Sequence, residues 1–296
     1  MSILSQNITY NEKSNQRLFK ILSIYLNIAP DYVDREMIEE ITCGNSDGEE
    51  FAFANLAAAA CGLNIYENAA DKQFFRTHFL PCFKKLSVKP FLDDPYYDQI
   101  TLPSGASGDW SFESRVCKPY EAFVYDDPEI LADGRVLPRI GFFDTEYAYP
   151  AVLENGREWM TLMPNETNTT KPAIDAAQGK VLTFGLGLGY FTFMAAIKSE
   201  VESVTVVERS RDVIELFEQF ILPQFPDPAK IKIVQCDAFE FAEKQMQAGA
   251  YDSVFVDIWH DPSDGCDLYL RMKQYEYLLP KAKFVYWVED TLKLYI

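Results

Sequence analysis

Hydrophobic and polar positions divide the chain into three zones, the first of which reads as helical. Apolar side chains recur there at helical spacing, and the Ala-rich stretch 51–61 ends at Gly62, a common helix stop. The pattern predicts helices at about residues 17–26, 32–41, 51–61 and 68–83. Asp31 precedes the second of them and is its expected N-cap.

Aromatic and β-branched residues dominate the second zone, with turn residues between them. Residues 151–154 and 157–160 flank the dipeptide Asn155-Gly156, which accepts the positive φ angles of a type I′ turn. The pattern therefore predicts a hairpin, and a small antiparallel sheet around it.

Short apolar runs alternate with helical patterns in the third zone. The predicted strands lie at residues 181–184, 204–207, 231–234, 253–256 and 283–288. Apolar strands that alternate with helices predict a parallel sheet covered on both faces. The predicted class is thus α/β, with a doubly wound, mainly parallel Rossmann-like sheet. The predicted domains are a helical region (1–103), a small antiparallel β region (104–168) and the α/β domain (169–296).

Charge and composition narrow the class of partner. The chain has 27 Lys and Arg against 45 Asp and Glu, a net charge of −18, which repels phosphate backbones. We therefore expect no nucleic-acid partner, and read the acidity as solubility or as attraction of a cationic substrate. The six cysteines form no CxxC pair and only two histidines occur, so no metal site is predicted. No signal sequence or membrane span is recognisable, so we expect a cytoplasmic protein without a membrane partner.

A glycine-rich segment follows the first strand of the third zone. Gly185, Gly187 and Gly189 give the spacing GxGxG, which lets a ligand approach the main chain closely. Tyr190 stands where the dinucleotide fingerprint requires Gly or Ala, which argues against NAD(P) and FAD.

Carboxylates end or follow the next three strands. Glu208 lies nineteen residues past Gly189 and could accept hydrogen bonds from both hydroxyls of a ribose. Asp237 follows the third strand, where its carboxylate could accept a hydrogen bond from the exocyclic amine of an adenine. Asp257 lies at the end of the fourth strand. The carboxyl ends of parallel strands are where ligands bind in open α/β sheets.

With these motifs in place, residues 179–261 resemble the class I S-adenosylmethionine (SAM)-dependent methyltransferases. The resemblance implies SAM as cofactor and gives the following residues the role of cofactor binding: Gly185, Leu186, Gly187, Gly189, Glu208, Asp237 and Ala238. Two features depart from the family pattern. Phe184 stands where the family usually carries an acid, and the chain ends at Ile296 without the usual closing pair of antiparallel strands.

The loop after the fourth strand supplies the predicted catalytic residues. Asp257 could orient a substrate amine, and Trp259 could lie against the adenine or a substrate cation. His260 titrates near neutrality when unperturbed, although a surface loop is its simpler interpretation. Methyl transfer needs in-line positioning and a place to lose a proton, which these residues could provide.

The sequence is compatible with three classes of function. The preferred function is methyl transfer from SAM to an unidentified small or cationic acceptor. The same scaffold is similar to spermidine synthase, which implies aminopropyl transfer as an alternative, and a catalytically inactive SAM-binding scaffold is a third. The aromatic-rich N-terminal zone could supply the interface of a homodimer.

Two further features have competing interpretations. Asn165 and Glu166 are expected to cap a helix that starts near Lys171, with the border of the SAM pocket as the alternative. Trp159 belongs to an aromatic cluster that we interpret as core.

Overall fold

Helices and strands alternate along residues 3–43, 48–102, 105–247 and 249–296, the part of the chain that the computed structural model describes. The α-helices are α1 (Ile3–Ile28), α2 (Arg35–Thr42), α3 (Glu49–Ala60), α4 (Ala69–Phe74), α5 (Lys89–Leu92), α6 (Pro95–Gln99), α7 (Pro164–Ala176), α8 (Tyr190–Ala196), α9 (Arg211–Leu216), α10 (Ala238–Gln245), α11 (Pro262–Lys273) and α12 (Glu289–Leu292). The strands are β1 (Phe83–Lys85), β2 (Gly105–Ser107), β3 (Trp110–Cys117), β4 (Phe123–Ile130), β5 (Val136–Phe142), β6 (Tyr147–Glu154), β7 (Arg157–Thr161), β8 (Gly179–Phe184), β9 (Val201–Glu208), β10 (Ile231–Gln235), β11 (Ser253–Val256) and β12 (Lys283–Tyr286).

The chain divides into two compact units, each built from two separate segments. The first unit comprises residues 1–89 and 116–148, and the second comprises residues 90–115 and 149–296. The predicted domain boundaries lie at 103/104 and 168/169, and this division differs from them. Residues 103 and 104 lie outside the described ranges. The reason is that strands of the predicted β region enter different sheets: β4 and β5 form a sheet with β1, in which β5 is the central strand, whereas β2, β3, β6 and β7 form another sheet.

The first unit packs helices against a three-stranded sheet of order β1-β5-β4. β1 runs parallel to β5, and β4 runs antiparallel to it. Phe53 of α3 stacks on Phe142 of β5, with ring centroids 4.1 Å apart, at the centre of the core of this unit. No helix in the described ranges combines the length and the apolarity needed to cross a bilayer.

The cap of α2 is Asp34, so the prediction of Asp31 was wrong. The Asp34 carboxylate accepts a hydrogen bond of 2.9 Å from the backbone N–H of Met37. Asp31 instead pairs with Lys118 at 2.8 Å, and that contact lowers the pKa of the Asp31 carboxyl. The helix begins three residues later than predicted, because Asp34 rather than Asp31 satisfies its first N–H groups.

Replacement of Asp34 by alanine should cost about 1 kcal/mol of local stability in α2, the usual effect of losing an N-cap. Asp31→Ala is the matched control and should have a smaller effect, because its ion pair is solvent-exposed. Native-state hydrogen exchange of the Met37 amide measures both. Faster exchange in Asp31→Ala than in Asp34→Ala would contradict this assignment.

The second unit is built on a parallel sheet of order β10-β9-β8-β11-β12. Side chains alternate between its faces, so Val181 enters one buried cluster and Leu182 the other. Helices thus cover both faces, and the predicted doubly wound Rossmann-like fold is confirmed. Within the described residues this sheet contains no antiparallel strand.

Most residues of a four-stranded sheet of order β2-β3-β6-β7 also belong to the second unit. β6 and β7 form the predicted hairpin, pairing antiparallel from Ala151–Thr161 to Glu154–Arg157. Asn155 and Gly156 have φ angles of 52° and 75°, which are the left-handed values that a type I′ turn needs.

Candidate functional site

The candidate site lies in the second unit, at the carboxyl ends of the parallel strands. The chain runs from β8 to β9 and β10 on one side, then crosses back to β11 and β12 on the other. The order of the strands therefore reverses between β8 and β11. Open α/β sheets bind their ligands in the crevice at such a reversal.

The glycine loop turns so tightly at this point that a side chain could not be accommodated. Gly185 has a φ of 97°, and a Cβ at this position would overlap the carbonyl oxygen of Asp257. Gly187 meets the sulfur of Met160, and Gly189 meets the ring of Phe217. The loop after β8 and the loop after β11 are therefore in direct main-chain contact, with Gly185 against Asp257.

Glu208, at the end of β9, is fixed against the glycine loop by two backbone N–H groups. One oxygen accepts from the N–H of Leu186 at 3.2 Å and the other accepts from the N–H of Ser210 at 2.7 Å. Burial raises the pKa of Glu208, and these hydrogen bonds oppose the rise. The carboxylate thus has a fixed orientation next to Gly185 and Gly187.

Asp237 follows β10 and caps α10. Its Oδ1 accepts from the N–H groups of Phe239 at 2.9 Å and Glu240 at 3.1 Å. Asp237 and Ala238 both face the same cavity as Glu208. The guanidinium of Arg271 lies 3.7 Å from the ring centroid of Phe239, which gives this end of the cavity a flat apolar surface with a cation beside it.

Asp257 and Glu166 form a pair of interacting carboxyl groups in the cavity. Burial, followed by the charge of Glu208, raises the pKa of Asp257 to about 7. Burial, followed by the charge of Asp257, raises the pKa of Glu166 well above its usual value, although Thr170 hydrogen-bonds to it. At neutral pH the pair therefore holds protons that isolated carboxyl groups would release.

The preferred interpretation of Asn165 and Glu166 as caps was wrong. Helix α7 begins at Pro164 rather than near Lys171, and no side chain caps it. Glu166 lies in the first turn, with only 7% of its surface exposed, and it lines the cavity. Glu166 therefore borders the cavity, as the alternative interpretation stated.

One cavity of about 300 Å³ brings most of the predicted residues together. Eight of the ten line it: Gly185, Leu186, Gly187, Glu208, Asp237, Ala238, Asp257 and Trp259. Gly189 and His260 are not among its lining residues. Gly189 instead precedes α8 as its N-cap residue, with a φ of 73°.

His260 occupies a position behind the cavity wall. Its Nε2 lies 3.1 Å from the carbonyl oxygen of Glu158, and its ring packs edge-on against Trp159 with centroids 5.7 Å apart. Asp261 and Asp264 form a capping box at the start of α11, which fixes the loop that carries His260. The geometry therefore makes His260 a neighbour of the wall rather than part of it.

Three of the four tryptophans of the chain are the main feature that was missed from the sequence. Trp110, Trp159, Trp259 and Trp287 all line this cavity, and only Trp259 was predicted there. Met160 lines it as well, with its sulfur 3.3 Å from the N–H of Leu188. The position of Trp287, directly after β12, was the one available signal, because it places the side chain at a carboxyl end of the sheet.

Phe184 lies where the family pattern has an acid, and it is fully buried. It packs against Phe241 on one face of the sheet and contributes nothing to the lining of the cavity. Glu166, next to Asp257, is a carboxyl group of the cavity that comes from α7 instead.

Comparisons with known proteins yield structural likeness only. No family model and no curated protein matches the sequence. Spermidine synthase from Thermotoga maritima is similar with a TM-score of 0.35 and 18% identity, over 48% of this chain and 53% of that chain. A spermidine synthase in complex with the transition-state analogue AdoDATO is similar with a TM-score of 0.37 and 20% identity, over 48% of this chain and 54% of that chain. A proposed O-methyltransferase from Klebsiella pneumoniae is similar with a TM-score of 0.30 and 14% identity, over 40% of this chain and 52% of that chain. The aligned part spans about half the length of each of these structures.

Proposed function

We propose that the second unit binds SAM and transfers its methyl group to a small amine. The observation that carries the proposal is the Glu208 carboxylate, hydrogen-bonded to Leu186 of the glycine loop where the strand order reverses. Gly185 and Gly187 would allow close approach of the methionine part, and Glu208 would hold the ribose hydroxyls. Asp237 and Ala238 would border the adenine.

The carboxyl groups and indole rings of the cavity support a cationic ligand. Glu166, Glu208 and Asp257 all line it, together with four indole rings. A sulfonium or ammonium ion gains from both, because carboxylates attract it and aromatic faces attract cations through their quadrupoles. Two cations, Arg209 and Arg271, also line the cavity, and Arg271 lies at the Phe239 end.

The transfer itself needs few protein groups. The lone pair of a neutral amine attacks the methyl carbon, the carbon–sulfur bond breaks, and its electron pair stays on sulfur as a thioether. The ammonium form of the amine gives up one proton before the attack, and after the attack its nitrogen carries the methyl group and a positive charge. Asp257 would accept that proton, since a carboxyl group with a pKa of about 7 exchanges protons readily at neutral pH. Trp259 would form part of the wall beside it.

Aminopropyl transfer is the second candidate, favoured by the paired carboxyl groups of Glu166 and Asp257. A pair of acids suits a substrate with several amines, and decarboxylated SAM would be the donor. The two candidates differ in the donor, so binding separates them.

Isothermal titration calorimetry with SAM, decarboxylated SAM and NADH tests the proposal. We expect micromolar binding of SAM and none of NADH, followed by detection of S-adenosylhomocysteine when an amine acceptor is supplied. Preference for decarboxylated SAM would replace methyl transfer by aminopropyl transfer. SAM binding without turnover of any acceptor would favour an inactive scaffold, and absence of nucleoside binding would refute the cofactor assignment.

Replacement of Glu208 by alanine should weaken SAM binding roughly 10- to 150-fold, because charge-assisted hydrogen bonds contribute about 1.5–3 kcal/mol. Glu202→Ala is the matched control, since Glu202 is an exposed residue of the same strand. Calorimetry on both variants measures the effect. Equal affinity in the two variants would remove Glu208 from the site.

A further inference from the structure

The indole rings are distributed unevenly around the cavity. Trp110 of β3 and Trp159 of β7 pack edge to face, with centroids 5.7 Å apart and planes at 72°. Both come from the antiparallel sheet, whereas Asp237 and Ala238 follow β10 of the parallel sheet. Trp287, which follows β12, donates a hydrogen bond of 2.9 Å from its Nε1 to Thr169 of α7. We call Trp110, Trp159 and Trp287 the tryptophan wall.

Glu166 connects this wall to the carboxyl groups. It lies on α7, the helix that fixes Trp287 through Thr169, and its charge interacts with that of Asp257. Because Glu166 is 7% exposed, a carboxylate there has little solvent to stabilise it and gains strongly from a cation in the cavity. The cavity therefore combines aromatic faces with buried counter-charges.

We propose that the tryptophan wall and Glu166 form a subsite for an alkylated amine, whose methylated product is a more substituted ammonium ion. This inference rests on the proposed function and names its class of acceptor. Secondary, tertiary and quaternary ammonium ions are weakly hydrated and present a diffuse charge. They therefore suit aromatic faces better than a primary ammonium ion, which is strongly hydrated. A neutral ligand of the same shape would gain the apolar contact but not the electrostatic one.

The chemistry of the reaction agrees with this placement. The acceptor must lose its proton to become a nucleophile, and the carboxyl pair of Glu166 and Asp257 can take it up. After transfer the nitrogen is positively charged again and lies against the indole faces. The subsite therefore binds the reactant amine and its product in the same orientation.

A pair of probes that differ in charge but not in shape tests the inference. Choline carries a quaternary ammonium group, and 3,3-dimethylbutan-1-ol replaces that nitrogen by carbon. Each is titrated into the protein with and without S-adenosylhomocysteine, and tryptophan fluorescence is recorded. Since all four tryptophans line the cavity, the signal reports this site without background from the remainder of the chain.

We expect choline to bind at least about tenfold more tightly than the neutral alcohol. Glu166→Gln and Trp159→Leu should each remove most of that difference, and Trp159→Phe should restore part of it because a ring is retained. Glu202→Gln, an exposed acid of β9, is the matched control and should leave the difference unchanged. Equal binding of the two probes, or binding of neither, would overturn the inference.

Calorimetry with SAM on the same preparations separates this inference from the proposed function. SAM binding without charge discrimination between the probes would refute the alkylamine subsite alone. Charge discrimination that depends on Glu166, without SAM binding, would refute the proposed donor and leave the cation subsite standing. Urea unfolding of Glu166→Gln, followed by fluorescence, confirms that the variant is folded before either comparison is made.

Discussion

Replacement of Gly185 by alanine is expected to lower the free energy of unfolding of the second unit by roughly 4 kcal/mol or more. The φ of 97° is unfavourable for any residue with a side chain, which costs about 1–2 kcal/mol. The added Cβ would also overlap the carbonyl oxygen of Asp257, which is backbone and cannot rotate away. Urea denaturation followed by tryptophan fluorescence measures this unit specifically, because all four tryptophans belong to it.

Two other glycines serve as graded controls for this prediction. Gly156→Ala introduces a Cβ with nothing within 4 Å, so it should cost only the conformational strain of about 1–2 kcal/mol. Gly187→Ala meets the flexible side chain of Met160, which can move, so its cost should lie between the other two. A Gly185→Ala variant no less stable than Gly156→Ala would mean that the two loops are not in contact as described.

Raising the pH from 4 to 8 is expected to destabilise the second unit when no ligand is bound, through Asp257. Its pKa is raised from 3.8 in the unfolded chain to about 7 in the folded protein, so the folded state binds the proton more tightly. That contribution is complete below pH 3.8 and is lost as the pH rises through 7. At about 1.36 kcal/mol for each pH unit, its upper limit is about 4 kcal/mol.

Asp257→Asn should flatten this dependence and stabilise the second unit at pH 8 relative to the wild type. Glu166 and Glu208, whose pKa values are also raised by burial, leave a residual dependence of the same sign. Asp175→Asn, at an exposed position of α7, is the matched control. Urea midpoints at pH 4, 6 and 8 measure the effect, and an unchanged slope in Asp257→Asn would contradict it. If the proposed function is correct, the same variant should lose roughly 100- to 10,000-fold in kcat.

The parallel sheet could be predicted because its signals are local. Each of its strands is a short apolar run. The antiparallel hairpin could be predicted for a similar reason, because the turn at Asn155-Gly156 needs positive φ angles that few other residues adopt. The positions of the glycine loop, Glu208 and Asp257 follow from where the strands end. Their convergence on one cavity could be expected from the parallel arrangement alone.

Glu166 and the tryptophan wall required information that is not local. The segment Pro164-Asn165-Glu166 precedes the predicted helix start near Lys171, and its local pattern leaves the border of the pocket only as the alternative interpretation of Glu166. Trp110 lies on a strand of alternating pattern, where a buried indole looks like any other core residue. Only the pairing of β3 with β6 and of β6 with β7 brings Trp110 near Trp159.

The division into units depends on long-range pairing as well. β1 is three residues long and pairs in parallel with β5, more than fifty residues later in the chain. No periodicity within either strand encodes that partner. Long-range pairing is set by burial of apolar faces after collapse, so contiguous zones of composition were a poor guide to it.

The segmented second unit limits how its site could be transferred between proteins. Residues 90–115 and 149–296 build it together, from both sides of an intervening stretch of chain. A gene fragment that begins at residue 169 would carry the glycine loop but would leave behind Trp110, Trp159 and Glu166. Recombination of the parallel sheet alone would thus transfer the side of the cavity that the glycine loop forms, without the side that these three residues form. The site is inherited whole only when everything from residue 90 onward travels as a single piece.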